Sequence, residues 1–68
     1  MINRVHELRK QKKLTQQGLG NLVGVSRQAV AAIEKGRFDP SVWLAYDLSR
    51  VFSISIEELF DFERSERK

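Results

Sequence analysis

The sequence predicts an all-α fold, a bundle of about five short helices. Apolar residues recur three and four positions apart between the glycines and a single proline, which is the spacing of one buried helix face. Phe60-Asp61-Phe62 alternates apolar and polar residues, but this run is too short to predict a strand. At 68 residues the chain is the size of one domain, which we expect to span residues 1–68.

The first helix is expected to begin at Asn3, which can serve as its N-cap, and to end near Lys12. Val5 and Leu8 lie three residues apart and would form its buried side. The basic residues in its last turn favour the helix macrodipole, so by themselves they do not indicate a binding site.

Two further helices are predicted by their caps. Thr15 is the expected N-cap of the second helix and Gly24 its C-terminal residue, where a left-handed backbone ends a helix. Ser26 is the expected N-cap of the third helix, and Gly36 ends it in the same way. The predicted buried faces consist of Leu19, Leu22 and Val23 on the second helix, and of Val30 and Ile33 on the third.

The last two helices also begin at serines. Ser41 is the expected N-cap of the fourth helix, which ends at Ser53, where glycine or asparagine would be easier. Ser55 and Glu58 form a capping box that starts a short fifth helix. The predicted buried face of the fourth helix is Leu44, Ala45, Leu48, Val51 and Phe52, and the fifth is expected to carry Leu59 and Phe60.

The charge is divided unevenly along the chain. Residues 1–38 contain eight basic and two acidic side chains, a formal charge of +6, whereas residues 39–68 contain four basic and seven acidic, a charge of −3. The uneven charge could serve solubility alone. It also fits a molecule with one side that faces a polyanion such as nucleic acid and another with a different role.

The composition excludes several kinds of site. There are no cysteines and only one histidine, so we expect no disulfide, no metal site and no cofactor. No apolar run approaches the ~20 residues that span a bilayer, and no signal-peptide pattern opens the chain, so we expect a cytoplasmic protein without a membrane segment. No acid–base pair, no nucleophile with a base and no phosphate-binding glycine loop can be identified, so we do not expect an enzyme.

Residues 16–35 have the pattern of a helix-turn-helix, two short helices joined by a tight glycine turn. Gly20 is small where the two helices would cross, and Gly24 lies at the turn. Because Ser26 caps the second of these helices, Arg27 and Gln28 would project from its exposed N-terminus. The major groove of DNA accepts a helix that enters by its N-terminal end.

Several stretches match a known family: Leu8-Arg9, Leu14-Thr15-Gln16-Gln17, Val23-Gly24-Val25-Ser26-Arg27-Gln28, Ile33-Glu34-Lys35-Gly36, Pro40-Ser41, and Val51-Phe52 with Ser55-Ile56-Glu57-Glu58-Leu59-Phe60. The chain resembles the Cro and phage-repressor type of helix-turn-helix regulator, also called the xenobiotic-response-element family. The resemblance covers about residues 2–61 and is most specific between residues 23 and 36. It implies a lambda-repressor-like DNA-binding domain whose recognition helix spans residues 26–35.

The resemblance also implies a set of DNA contacts. The residues that would read bases are Arg27, Gln28, Ala31 and Ala32, and those that would contact the backbone are Arg9, Gln16, Ser26, Lys35 and Arg37. Arg9 would also pair with Glu34. The same side chains have plainer interpretations, since Arg27 and Gln28 could be solvated helix-start residues and the Arg9–Glu34 pair could be structural only.

The chain departs from the family pattern at three positions. Gly18 replaces a common glutamate, which breaks the capping box that Thr15 could form, and costs roughly 1 kcal/mol relative to alanine in a helix. Gly20 replaces a common alanine, for which we expect a similar cost. Ala29 replaces a hydroxyl residue and removes one candidate DNA contact.

We therefore expect a sequence-specific DNA-binding transcriptional regulator, a repressor, that acts as a homodimer on an inverted repeat of double-stranded DNA. Dimerisation is assigned to residues 42–63, with Trp43, Ile56, Phe60 and Phe62 in the interface. Alternatively Trp43 folds over its own core. A different function also remains open, in which the chain is an antitoxin or adaptor whose main partner is another protein, bound by the acidic, aromatic second half.

Overall fold

Five helices follow one another within residues 1–65, the part of the chain that the computed structural model describes. They are α1 (Val5–Gln11), α2 (Gln16–Val23), α3 (Arg27–Glu34), α4 (Val42–Phe52) and α5 (Ile56–Leu59). Two short strands, β1 (Ile2–Asn3) and β2 (Phe60–Asp61), pair with each other. The all-α class and the number of helices are as the sequence predicts.

The predicted caps are present at four of the helices. Thr15, Ser26, Ser41 and Ser55 each accept a hydrogen bond from the backbone N–H three residues on, at 2.8–3.1 Å. These bonds satisfy N–H groups that have no partner within the helix. At α5 the capping box is complete, because the backbone N–H of Ser55 also donates to Glu58 Oε1 at 3.0 Å.

The start of α1 differs from the prediction. Arg4, not Asn3, occupies the N-cap position, and it makes no side-chain cap. Asn3 instead lies in β1, where its Oδ1 accepts from the N–H of Val5 at 3.0 Å. Its amide donates to the carbonyl oxygens of Met1 and Ile33, at 2.9 and 2.8 Å. Asn3 therefore fastens the start of the chain to the end of α3 as well as supporting the start of α1.

All five helices and β2 contribute to one apolar core. Its buried members are Val5, Leu19, Val30, Ile33, Leu44, Ala45, Leu48, Phe52, Leu59 and Phe60. The prediction that Leu22 belongs to the buried face of α2 is wrong, because Leu22 is 61% exposed. With only eight residues in α2, Leu19 and Gly20 provide its buried contact, and Leu22 falls outside the stripe that the core covers.

Phe60 is also placed differently from the prediction. It begins β2, not the end of α5, with extended dihedral angles of φ −115° and ψ 125°. Asn3 pairs with Phe60 and Ile2 with Asp61 in an antiparallel ladder. Phe60 is fully buried, and Asp61, the next residue of the strand, points to the opposite face and is half-buried. Phe62 lies beyond the end of the strand and is 47% exposed.

Candidate nucleic-acid interface

Helices α2 and α3 make the most extensive helix–helix contact of the described chain, and Gly20 allows their close approach. A Cβ atom at Gly20 would lie 2.5 Å from the carbonyl oxygen of Val25, well inside van der Waals contact. The N–H of Val25 donates to the carbonyl oxygen of Gly20 at 2.9 Å. Gly24 completes the turn with a left-handed backbone, φ 76°. The expectation of a small residue where the two helices cross is therefore confirmed, whereas the expected cost of Gly20 relative to alanine is wrong, because a Cβ here would collide with the backbone.

The N-terminal end of α3 is presented to solvent. Ser26 caps it through the N–H of Ala29 at 3.1 Å, and Arg27 and Gln28 are both exposed at the first positions of the helix. Ala31 and Ala32 are half-buried further along. The opposite face, Val30 and Ile33, is inserted into the core. The structure thus brings the predicted base-reading side chains to one accessible helix surface.

Glu34, at the end of α3, is the centre of a buried polar network. Its Oε2 accepts from Arg9 Nε at 2.6 Å and its Oε1 from Arg9 Nη2 at 3.2 Å, so the two side chains form a bidentate pair. Arg9 Nη1 donates to the carbonyl oxygen of Leu14 at 2.8 Å. The side chains of Arg9 and Glu34 are only 8% and 5% exposed. Arg9 therefore ties α1 both to α3 and to Leu14, in the segment between α1 and α2.

This network corrects one predicted DNA contact. Because Arg9 is buried and its guanidinium already bonds Glu34 and Leu14, it has little accessible surface for a phosphate. We assign Arg9 to the structural ion pair alone. The sequence could not separate the two roles, since an arginine at this spacing suits both.

Two more side chains bond Glu34 from the outer side. Gln16 Nε2 donates to Glu34 Oε1 at 3.2 Å, which leaves a second amide hydrogen on the half-buried Gln16 available to another acceptor. His6 Nδ1 lies 3.1 Å from the same oxygen. His6 was not assigned a partner from the sequence. The available signal was its position three residues before Arg9, on the same face of α1.

The ionisation of Glu34 follows from these contacts. Burial alone raises the pKa of Glu34, but the hydrogen bonds from Arg9, Gln16 and His6 outweigh it, so that the pKa of this carboxyl is lower than usual. The ionised form is the one that can accept all of these bonds. The ionised Glu34 is therefore an acceptor that holds the end of α3 against Arg9 of α1 and orients the side chain of Gln16.

The remaining predicted backbone contacts lie at the two ends of α3. Ser26 uses its oxygen as the cap acceptor, and its hydroxyl hydrogen can still donate. Lys35 and Arg37 are exposed just after the helix, where the N–H of Arg37 bonds the carbonyl oxygen of Ala32 at 2.9 Å. Exposed cationic side chains thus lie at both ends of α3, with Arg27 at its start and Lys35 and Arg37 after its end.

Of the residues predicted to form the dimer interface, some are exposed and others are buried in the monomer. Trp43 is 75% exposed on α4, so the alternative that it folds over its own core is wrong. Its ring meets Tyr46 edge-on, with centroids 6.1 Å apart, and Phe62 is half-exposed elsewhere. Ile56 packs partly against the core. Phe60 is fully buried inside the monomer, which removes it from any surface that a partner could reach.

The part of the chain that the structure describes has neither a cluster of metal ligands nor a membrane-spanning helix. Among residues 1–65, no group of three or more histidine, aspartate or glutamate residues could hold a metal ion. Over the same residues, no helix is long and apolar enough to cross a membrane.

Known proteins are similar to this chain in sequence, and solved structures are similar to it in fold. The helix-turn-helix family pattern matches residues 5–59. An uncharacterized HTH-type transcriptional regulator of Methanocaldococcus jannaschii is 42% identical over 66 residues, 97% of this chain and 100% of that protein. One of Bacillus subtilis is 48% identical over 63 residues, which are 93% of this chain and 96% of that protein.

Solved structures with a similar fold include two regulators. The P22 c2 repressor protein, in complex with synthetic operator 9T, is similar with a TM-score of 0.82 and 31% identity over 85% of this chain and 88% of that one. The restriction-modification controller protein C.AhdI from Aeromonas hydrophila gives a TM-score of 0.75 and 35% identity, over 84% and 86%. The chain therefore belongs to the helix-turn-helix family of transcriptional regulators, of the Cro and phage-repressor type.

Proposed function

We propose that this protein is a sequence-specific DNA-binding repressor that acts as a dimer on an inverted-repeat operator, with α3 as its recognition helix. The observation that carries the proposal is the exposed, Ser26-capped start of α3, from which Arg27 and Gln28 project. The likeness to the P22 c2 repressor, solved on an operator, supports the same docking here. The role is binding without catalysis, and its place is the cytoplasm, where the DNA is.

The base contacts follow from the chemistry of the side chains on α3. The guanidinium of Arg27 offers two parallel donors that fit the O6 and N7 acceptors of guanine. The amide of Gln28 can both accept from N6 and donate to N7 of adenine. Ala31 and Ala32 contribute only methyl groups, which suit the methyl of a thymine. Each good two-bond pair discriminates against a wrong base by about 1–3 kcal/mol.

The backbone contacts hold α3 in register. Gln16 lies at the start of α2, where free N–H groups carry partial positive charge, and its remaining amide hydrogen can meet a phosphate. Lys35 and Arg37 can meet phosphates beyond the other end of α3, and Ser26 can donate from its hydroxyl. These contacts carry no sequence information, and they make binding depend on salt.

A dimer supplies the affinity that one small domain lacks, because a single module buries too little surface for tight specific binding. The exposed apolar face of α4, made of Val42, Trp43 and Tyr46, is the surface best suited to a partner. A two-fold arrangement would set the two α3 helices about one DNA turn apart, ~34 Å. The same face would serve the other candidate function, in which this chain is an antitoxin or adaptor and binds a different protein there.

The proposal is tested by selecting binding sites from a pool of random duplex DNA with the purified protein. We expect enrichment of one sequence with two-fold symmetry, whose half-sites lie about one helical turn apart. Sedimentation in parallel should give a dimer that Trp43→Ala weakens. A pool that stays unselected would contradict the proposed repressor and favour the protein-binding candidate.

A further inference from the structure

A groove of about 1030 Å³ lies between the segment that follows α3 and the segment that follows β2. Its lining includes three basic side chains, Lys35 and Arg37 from the first segment and Arg64 from the second. Arg64 belongs to the half of the chain that is acidic overall. Its chain neighbours therefore do not group Arg64 with the basic residues around α3, but the fold places all three in the lining of one groove.

The wall that carries Arg64 is held in place by hydrogen bonds. The pairing of β1 with β2 fixes the start of this segment, and the N–H of Ile2 donates to Ser65 Oγ at 2.8 Å. The N–H of Arg64 donates to Asp61 Oδ1 at 2.9 Å. The backbone of Arg64 is thus anchored, while 75% of its side chain is exposed.

The carboxylates near the groove are largely engaged elsewhere. Glu34 is occupied by the buried pair with Arg9, and Asp39 accepts from the amino group of Met1 at 3.0 Å. Arg64 has one distant partner, Asp61 Oδ2, at 3.7 Å. Within residues 1–65, Lys35 and Arg37 make no ion pair. The groove accordingly presents three cationic groups to an anion.

We propose that this groove binds the phosphodiester backbone of DNA beyond the end of the recognition helix, with Arg64 as a phosphate contact from the C-terminal segment. The inference rests on the proposed function, because Lys35 and Arg37 are its backbone contacts and the groove continues from them. Arginine suits the place, since its planar guanidinium donates two parallel hydrogen bonds to a phosphate. Arg64 would extend the DNA footprint past the helix-turn-helix itself.

The test is a salt titration of binding to a short duplex of random sequence, followed by fluorescence anisotropy. Each phosphate contact releases counterions and adds about 0.9 to the slope of log affinity against log salt. We expect Arg64→Gln to weaken binding severalfold at low salt and to lower that slope by about one contact. Arg64→Lys should keep most of the slope, because it keeps the charge.

The matched control is Arg50→Gln, which removes the same charge from the same half of the chain. Arg50 lies outside the groove, over the ring of Tyr46, with its guanidinium carbon 5.9 Å from the ring centroid. It should leave the slope unchanged. If Arg64→Gln and Arg50→Gln have equal effects while Lys35→Gln lowers the slope, the groove proposal is wrong and the proposed function stands. A wild-type protein that binds no DNA overturns both.

Discussion

Helices α2 and α5 both begin at a hydroxyl N-cap, but only α5 has a carboxylate three residues on to complete the box. At α5, Ser55 and Glu58 exchange two hydrogen bonds. At α2, Thr15 accepts from the N–H of Gly18, which has no side chain to return the bond. The helix-turn-helix is thus the locally weaker region, and it depends on packing contacts beyond its caps, namely the distant Arg9–Glu34 pair and the close backbone approach of Gly20 to Val25.

The largest effect is expected from the distant contact, the buried ion pair. Glu34→Gln leaves the buried guanidinium of Arg9 without its countercharge and should lower the free energy of unfolding by roughly 3 kcal/mol. Urea denaturation measures this change. The matched control is Glu7→Gln, which breaks the exposed pair of Glu7 with Arg4 and should hardly move the midpoint. Equal losses in the two variants would show that the buried pair is not what holds the helix-turn-helix together.

The two glycines of α2 should respond in opposite directions. Gly20→Ala forces a methyl to within 2.5 Å of the Val25 carbonyl oxygen and should cost about 1–3 kcal/mol, despite the better helix propensity of alanine. At Gly18 the nearest atom is Thr15 Oγ1, at 3.1 Å. Because this neighbour is a side-chain atom that can shift by a few tenths of an ångström, Gly18→Ala should be stabilising through the better helix propensity of alanine. Denaturation midpoints of the two variants that shift in the same direction would contradict the close approach of the helices.

A smaller effect, this time a gain in stability, is expected when α2 is given the capping box that α5 already has. Gly18→Glu supplies a carboxylate that can accept from the N–H of Thr15, and it places negative charge in the first turn. We expect stability to rise by about 1 kcal/mol. An unchanged or lower denaturation midpoint would mean that the missing glutamate is not a weakness of α2. Glu58→Gly, the reverse change at α5, should lower the midpoint.

The smallest effect should be seen in the acid range. Because the pKa of Glu34 is lower in the folded protein than in the unfolded chain, its contribution is fully present above the unfolded value of about 4.3. That contribution is lost as the pH falls through the folded pKa. The effect is modest because burial opposes the hydrogen bonds. Between neutral pH and about pH 3, the unfolding free energy of wild type should fall further than that of Glu34→Gln. Parallel curves of unfolding free energy against pH for the two proteins would show that Glu34 makes no such contribution.

The same contrast explains what could be predicted from the sequence. Caps act between neighbours in the chain, so Thr15, Ser26, Ser41 and Ser55 were assigned from residue type and spacing, and the helix boundaries followed. Phe60 and Leu22 were misplaced because their burial depends on which partner covers them. The pairing of β1 with β2 joins residues at opposite ends of the chain, and two-residue strands carry no periodicity that could reveal it.

The candidate site likewise contains residues that local sequence places correctly and residues whose environment depends on packing. Arg27 and Gln28 lie where the sequence places them, because a cap sets the start of α3 and hence which residues project from it. The burial of Arg9 could not be read from spacing, since it depends on how α1 packs against α3. A DNA-contacting role for Arg64 could not be predicted from the sequence, because its half of the chain is acidic and only the fold places it in the same groove as Lys35.

The central claim is that the start of α3 reads bases, and the most direct measurement compares Arg27→Ala with Lys35→Ala on a selected operator and on random duplex DNA. We predict that Arg27→Ala weakens operator binding by roughly tenfold or more while changing random binding much less. Lys35→Ala should weaken both to a similar degree. Equal losses on operator and random DNA for Arg27→Ala would show that Arg27 contacts only the backbone, and would contradict the claim.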